Sequence, residues 1–173
     1  VVSKTPATAA LLLAKRARKL QCQVLGPEHP TTLDSTVLVA QCLLDLKHIK
    51  DAAFVARRAL RLRLKISGRR HHRTFTAAVL RAATLSQQRR NRKARSLLSS
   101  TIRLQREVQG ILHPQTLGAL SHYLALRRGL ASAHHLRRVW QVQRQLLGRH
   151  HPEVTSTKRR WAKACRAGEC DGH

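Results

Sequence analysis

Apolar side chains return every three to four positions along most of this chain, and the same stripe is written four times. Ahead of four glycines, aligned positions read Ala14/Ala56/Leu98/Leu136, Ala17/Ala59/Thr101/Val139, Leu20/Leu62/Leu104/Val142 and Val24/Ile66/Val108/Leu146. Spacing of three and four places each set on one face of a helix. Beyond the glycines, Leu33, Val37, Ala40 and Leu43 recur as Phe75, Val79, Ala82 and Leu85, a second helical stripe. The stretch LRLRLKI alternates every second residue, as a strand does, but it shares the register of the other copies and is read as helix.

The segments between stripes are copies of one loop: LGPEHPTTL, SGRRHHRTF, QGILHPQTL and LGRHHPEVT. Gly26, Gly68 and Gly110 are 42 residues apart, as are His29, His71 and His113, while Gly148 and His151 follow after 38. A fixed period of this size marks a repeat array. Glycine suits the left-handed conformation that ends a helix, and Pro30 suits the first position of the next. His29 falls at the N-cap, where a neutral imidazole nitrogen accepts an otherwise orphaned backbone N–H. Each unit is therefore helix A (31–46), a tight turn, helix B (50–67) and the loop. The layout expected is one array over 1–173: a partial repeat (helix B) in 1–26, repeats in 27–68 and 69–110, and a third in 111–148. That third repeat is shortened by four residues around LRRGLASAHH, and a terminal helix A in 149–167 and a tail in 168–173 follow it.

Apolar residues make up 42% of the chain but aromatics only 3%, so the core is built from Leu, Val and Ala, which suits packed helices. An all-α fold is expected. ATAALLLA is too short to span a bilayer and no membrane span is read. Four cysteines are too few for a disulfide framework at this length, and are read as reduced, which points to an intracellular, cytoplasmic setting. The absence of Met reads as a piece cut from a longer protein.

A 42-residue helix pair carrying LGPEHP before helix A resembles the tetratricopeptide repeat, specifically the kinesin light chain type. Small residues stand where the helices of such a repeat cross: Ala40, Ala52 and Ala59, then Ala82, Ala94 and Thr101, and more weakly Leu124, Ser132 and Val139. The resemblance implies a right-handed superhelical solenoid of antiparallel helix pairs. It implies a non-catalytic scaffold that binds a peptide or partner protein on the concave surface lined by helix A. Carried onto this chain, that surface is Asp34, Val37, Leu38, Gln41, Leu44 and Asp45, then Thr76, Val79, Leu80, Ala83 and Gln87, then Ser121, His122 and Ala125. Kinesin light chain repeats often carry paired asparagines where this chain has Val37-Leu38, Val79-Leu80 and Ser121-His122. The plainer role for Val37 and Val79 is packing against the neighbouring helix.

Charge adds a second reading. Lys and Arg number 34 against 8 Asp and Glu, a net +26 that invites an anionic partner, such as an acidic protein surface or nucleic acid. No acidic residue occurs from Ala52 through Arg106, a span with 16 Lys and Arg. Arg57, Arg58, Arg61 and Arg63 belong to helix B, the outer wall in the resemblance, and Arg89, Arg90, Arg92 and Lys93 to the turn between helices. These are the candidates for polyanion binding, against the plain alternative of a solvated face inflated by base composition. Trp140 and Trp161 are too few for a stacking platform and are read as packing residues.

Catalytic chemistry is not expected. The carboxylates are scattered and no Gly-rich phosphate loop or nucleophile motif appears. Cys165, Cys170 and His173 in the tail have no common zinc spacing. No cofactor or metal is assigned, and no oligomeric state is read.

Overall fold

The computed structural model describes residues 6–127 and 130–166. Eight helices follow in order: α1 (Pro6–Leu25), α2 (Pro30–Asp45), α3 (Ile49–Ser67), α4 (His72–Gln87), α5 (Asn91–Gln109), α6 (Pro114–Ala125), α7 (Leu130–Leu147) and α8 (Pro152–Ala164). Among the described residues there is no strand, and LRLRLKI is part of α3. Two compact units form, residues 1–93 and 94–173. The tail cysteine Cys170 and His173, with the end of the terminal helix read at 167, lie outside the described residues.

In the first unit each helix packs on the next, and α2 also lies against α4. Alanines make this possible: Ala40, Ala56 and Leu80 form one buried cluster, and Ala14, Val39, Leu43 and Ala52 another. With only a methyl at each crossing, the backbones approach closely while Leu and Val fill the gaps. In the second unit α6, α7 and α8 pack together around Leu117, Leu124, Leu136 and Val139, with Trp161 against them. The four missing residues come out of helix A: α6 has 12 residues where α2 and α4 have 16.

The repeating histidine of each loop copy caps a helix. Nδ1 of His29, His71, His113 and His151 accepts from the backbone N–H two residues on, at 3.3, 3.2, 3.2 and 3.2 Å. An accepting Nδ1 requires neutral imidazole with its proton on Nε2. A threonine closes the loop from the other side. Thr32 and Thr74 donate their hydroxyls to the carbonyls of Gly26 (2.9 Å) and Gly68 (2.8 Å).

The glycine does something other than the sequence suggests. Gly68 has φ 76° and ψ 177°, an extended conformation with positive φ, and not the left-handed helical one. Asparagine tolerates the latter, but only glycine tolerates the former. A Cβ at Gly68 would meet nothing within 4 Å, so the cost of replacing it is backbone strain alone. Gly68→Ala is expected to lower stability by about 1–3 kcal/mol, with Gly68→Asn no better than Ala, read by denaturant unfolding.

The left-handed residues sit instead at the A–B turn, where Lys47 (φ 65°) and Arg89 (φ 60°) occupy the same place in successive repeats. There His48 N–H bonds to Leu43 O at 2.9 Å and Lys47 N–H to Leu44 O at 3.0 Å, the paired bonds of a Schellman ending.

The two ends of the array differ. Ala10, Leu13, Ala17 and Leu20 of α1 correspond to Ala52, Val55, Ala59 and Leu62 of α3. The α3 set is buried or half-buried, whereas the α1 set is exposed. On α8, Thr155, Lys158 and Arg159 stand where α2 has Leu33, Thr36 and Val37, and all three are exposed.

Candidate functional site

Of the residues expected to line a partner surface, some are accessible and others are not. On α2, Asp34, Val37, Leu38, Gln41 and Asp45 follow at helical spacing; all are exposed except Val37, which is half-buried. Leu38 keeps 52% of its surface in solvent, and Gln41 is oriented by a 2.9 Å bond from its amide to Asp45. On neighbouring α4, Thr76 and Gln87 are exposed and Val79 and Ala83 half-buried. Leu80, one repeat on from Leu38, is only 5% exposed because it fills the cluster with Ala40 and Ala56. It is a core residue and leaves the surface set.

Arg63 requires a larger correction. It was expected on an outer basic wall, yet it is fully buried, with 0% of its surface exposed. One guanidinium nitrogen donates to the carbonyl of Pro30 at 2.9 Å and to the carboxylate of Asp34. Asp34 also pairs with Arg73 at 3.3 Å, so it joins the start of α2 to the end of α3 and the start of α4. Burial lowers the Arg63 pKa, Asp34 opposes that, and Arg73 adds to it. Nε and Nη1 of Arg63 have no partner in the protein.

The positions equivalent to Arg63 are Gln21, Gln105 and Gln143, and each has at least one buried amide atom without a partner. Helix B thus carries a buried polar side chain at one fixed phase. Of these four side chains, Arg63 alone has an Asp bonded to it, Asp34; at the repeat position of Asp34 the later repeats carry Thr76, Gly118 and Ser156.

In the second unit the helix A pair Ser121 and His122 is not free. Ser121 is fully buried and its hydroxyl donates to Gly118 O at 2.8 Å. Arg160 of α8 donates to Ser121 Oγ at 2.9 Å and to His122 Nε2 at 2.7 Å. Burial, and then the Arg160 charge, push the His122 pKa from 6.5 down to about 3. The imidazole is therefore neutral and accepts at Nε2. Glu153, whose charge raises the pKa of Arg160 against the effect of burial, has its carboxylate 3.2 Å from where a Cβ of Gly118 would lie. Ser121 and His122 are thus fastened to α8.

Of the basic candidates, Arg57, Arg58 and Arg61 are exposed on α3, as are Arg89, Arg90, Arg92 and Lys93. The last four, with Asn91, surround an open recess of about 540 Å³ at the turn into α5.

The tryptophans were underrated by sequence. Trp140 and Trp161 stack at 5.6 Å between centroids and 22° between planes. Arg144 lies 5.5 Å over Trp140 and Arg137 6.0 Å over Trp161, so aromatic and basic groups do interleave here. A signal existed, since Trp140 and Arg144 are four apart on one helix. Among the described residues, no three His, Cys, Asp or Glu side chains group as metal ligands, and no helix is long and apolar enough to cross a membrane.

Residues 115–153 match the family model described as Tetratricopeptide repeat. Among curated proteins none matches the sequence. The chain is similar to the crystal structure of a putative kinesin light chain from Podosopora anserina with nearly identical tetratricopeptide-like repeats. That alignment has TM-score 0.67 and 18% identity, over 94% of this chain and 79% of that one. A single-substitution variant of the same protein aligns with TM-score 0.68 and 18% identity, over 94% and 78%. The resemblance read from the loops holds at the level of fold: the helix pairs are tetratricopeptide-like and superpose on repeats of a putative kinesin light chain.

Proposed function

We propose that this chain is a non-catalytic scaffold that binds a peptide or protein partner on the α2–α4 surface. Repeats of this type are generally protein–protein interaction scaffolds. The observation that carries the assignment to this surface is Leu38. A large apolar side chain stands half in solvent, framed by the polar Asp34, Gln41 and Asp45, on a helix packed against α1 and α3. An apolar anchor site with a polar rim on a preformed backbone lowers the ordering cost of association. Asp34, Val37, Leu38, Gln41, Asp45, Val79 and Ala83 form the working set.

Peptides selected from a random 12-residue library on the 173-residue chain are expected to lose at least about tenfold in affinity to Leu38→Asp. Equal binding to wild type and Leu38→Asp sinks the proposal. Leu80→Asp is not a surface test, because it places a carboxylate inside a closed apolar cluster.

The exposed arginines support a second reading, polyanion binding through Arg57, Arg58 and Arg61 of α3 and the Arg89–Lys93 turn. It requires binding of unrelated RNA or DNA that weakens steeply with salt and is lost when those arginines become Gln.

A further inference from the structure

Between α7 and α8 lies a cavity of about 290 Å³ lined by Trp140, Arg144, Arg149, His150 and Lys158, with Val154 and Thr155. Every charged lining group is cationic, and the nearby carboxylate of Glu153 is turned onto α6. Arg144 is held over the Trp140 ring, which leaves the edge of its guanidinium for a ligand. The indole N–H of Trp140 is itself buried and the Thr155 hydroxyl is engaged with Pro152 O at 2.8 Å, so the free donors on the wall are those of Arg144, Arg149 and Lys158, all exposed. The wall therefore offers donors and positive charge together.

This is not a helix N-terminus site. The backbone N–H groups of Glu153, Val154 and Thr155 are already taken by His151, through Nδ1 for the first and its carbonyl for the other two. Base composition does not explain the set either. The positions one repeat earlier are Ile102, Arg106, Ile111, Leu112 and Leu120, four of them apolar. The combination is particular to the last loop.

The geometry points to a binding site for a phosphate monoester carried on a peptide chain, a phosphorylated segment of a partner. Two arginines and a lysine more than offset a charge near −2 and supply donors for three acceptor oxygens, whereas a carboxylate brings one charge and two oxygens. The site lies in the second unit and is independent of the α2–α4 surface proposed above.

The test is fluorescence anisotropy of a labelled alanine-rich peptide with one phosphoserine, titrated with the 173-residue chain at about 150 mM salt, where distant surface charges are screened. Its Ser and Glu counterparts are expected to bind at least about tenfold more weakly. Arg144→Gln with Lys158→Gln is expected to cost about tenfold or more, while Arg57→Gln, Arg58→Gln and Arg61→Gln together leave binding unchanged. Because Trp140 and Trp161 are the two tryptophans of the chain, binding also changes intrinsic fluorescence. Equal affinity for the phosphoserine and serine peptides overturns the proposal, as does an α3 triple variant that loses as much as the cavity double variant. Inorganic phosphate competing at the same concentration as the phosphopeptide overturns the assignment to a peptide-borne group. Leu38→Asp is expected to leave this binding intact, so failure here and failure of the scaffold reading are separable.

Discussion

Asp34→Ala removes about 3 kcal/mol from the packing of α2 on α3, although Asp34 itself is half exposed. The cost comes from its partner. Arg63 is fully enclosed, and without Asp34 it keeps the Pro30 carbonyl as its one bond and no compensating charge. Removing one member of a buried pair costs about 3–5 kcal/mol, and water access to Asp34 places this case at the low end. The chain supplies its own rescue. One repeat later Gln105 and Thr76 occupy the positions of Arg63 and Asp34. Asp34→Thr with Arg63→Gln therefore restores most of the loss, because neither residue then carries a charge to be left alone. Units of a repeat array unfold with some independence, so hydrogen exchange at α2 and α3 amides reads the effect more directly than a global melt. If Asp34→Ala leaves those amides as protected as in wild type, the pair contributes nothing to the fold.

The Asp34–Arg63 pair also shows what a sequence discloses and what it hides. The Gly–His–Pro loop was legible because its chemistry is local: a capping imidazole, a proline at N1 and a glycine act within six residues, and their meaning does not depend on what lies across the fold. Arg63 was not legible, because an arginine among Arg57, Arg58 and Arg61 reads as one more solvated cation. Its phase was the available clue. Gln21, Arg63, Gln105 and Gln143 keep a polar group at one position of every helix B, and a position that stays polar amid changing neighbours is a buried polar site as readily as a surface one.

Leu38 and Leu80 illustrate the opposite failure. They share one repeat position, but Leu80 packs into a closed cluster with Ala40 of α2 and Ala56 of α3, whereas Leu38 is 52% exposed. Identity of register carries over helix and loop, but not burial, which depends on the neighbour. Likewise Ser121 and His122 hold the surface register of helix A yet are claimed by Arg160, a side chain 39 and 38 residues away that no local pattern names.

That tether makes the second unit acid-sensitive. The unfolded chain protonates His122 near its ordinary pKa of 6.5, while the folded protein resists until about pH 3. Between those values unfolding takes up a proton, so falling pH favours the unfolded state. The contribution of His122 is complete above pH 6.5 and is lost downward through the window at about 1.4 kcal/mol per pH unit. Between pH 6.5 and 5 this one residue removes about 2 kcal/mol. His71, whose pKa burial, His72 and nearby arginines also lower, acts in the same direction, and a highly cationic chain loses stability in acid for general reasons as well. His122→Gln isolates the local effect, since the amide oxygen still accepts from Arg160 but does not titrate. The variant is expected to be less stable than wild type at neutral pH or equal to it, and to lose about 2 kcal/mol less between pH 6.5 and 5, measured by denaturant midpoints at fixed ionic strength. Parallel pH profiles for the two proteins would mean that burial beside Arg160 does not hold His122 neutral, and that the histidine is as open to a proton in the folded protein as in the unfolded one.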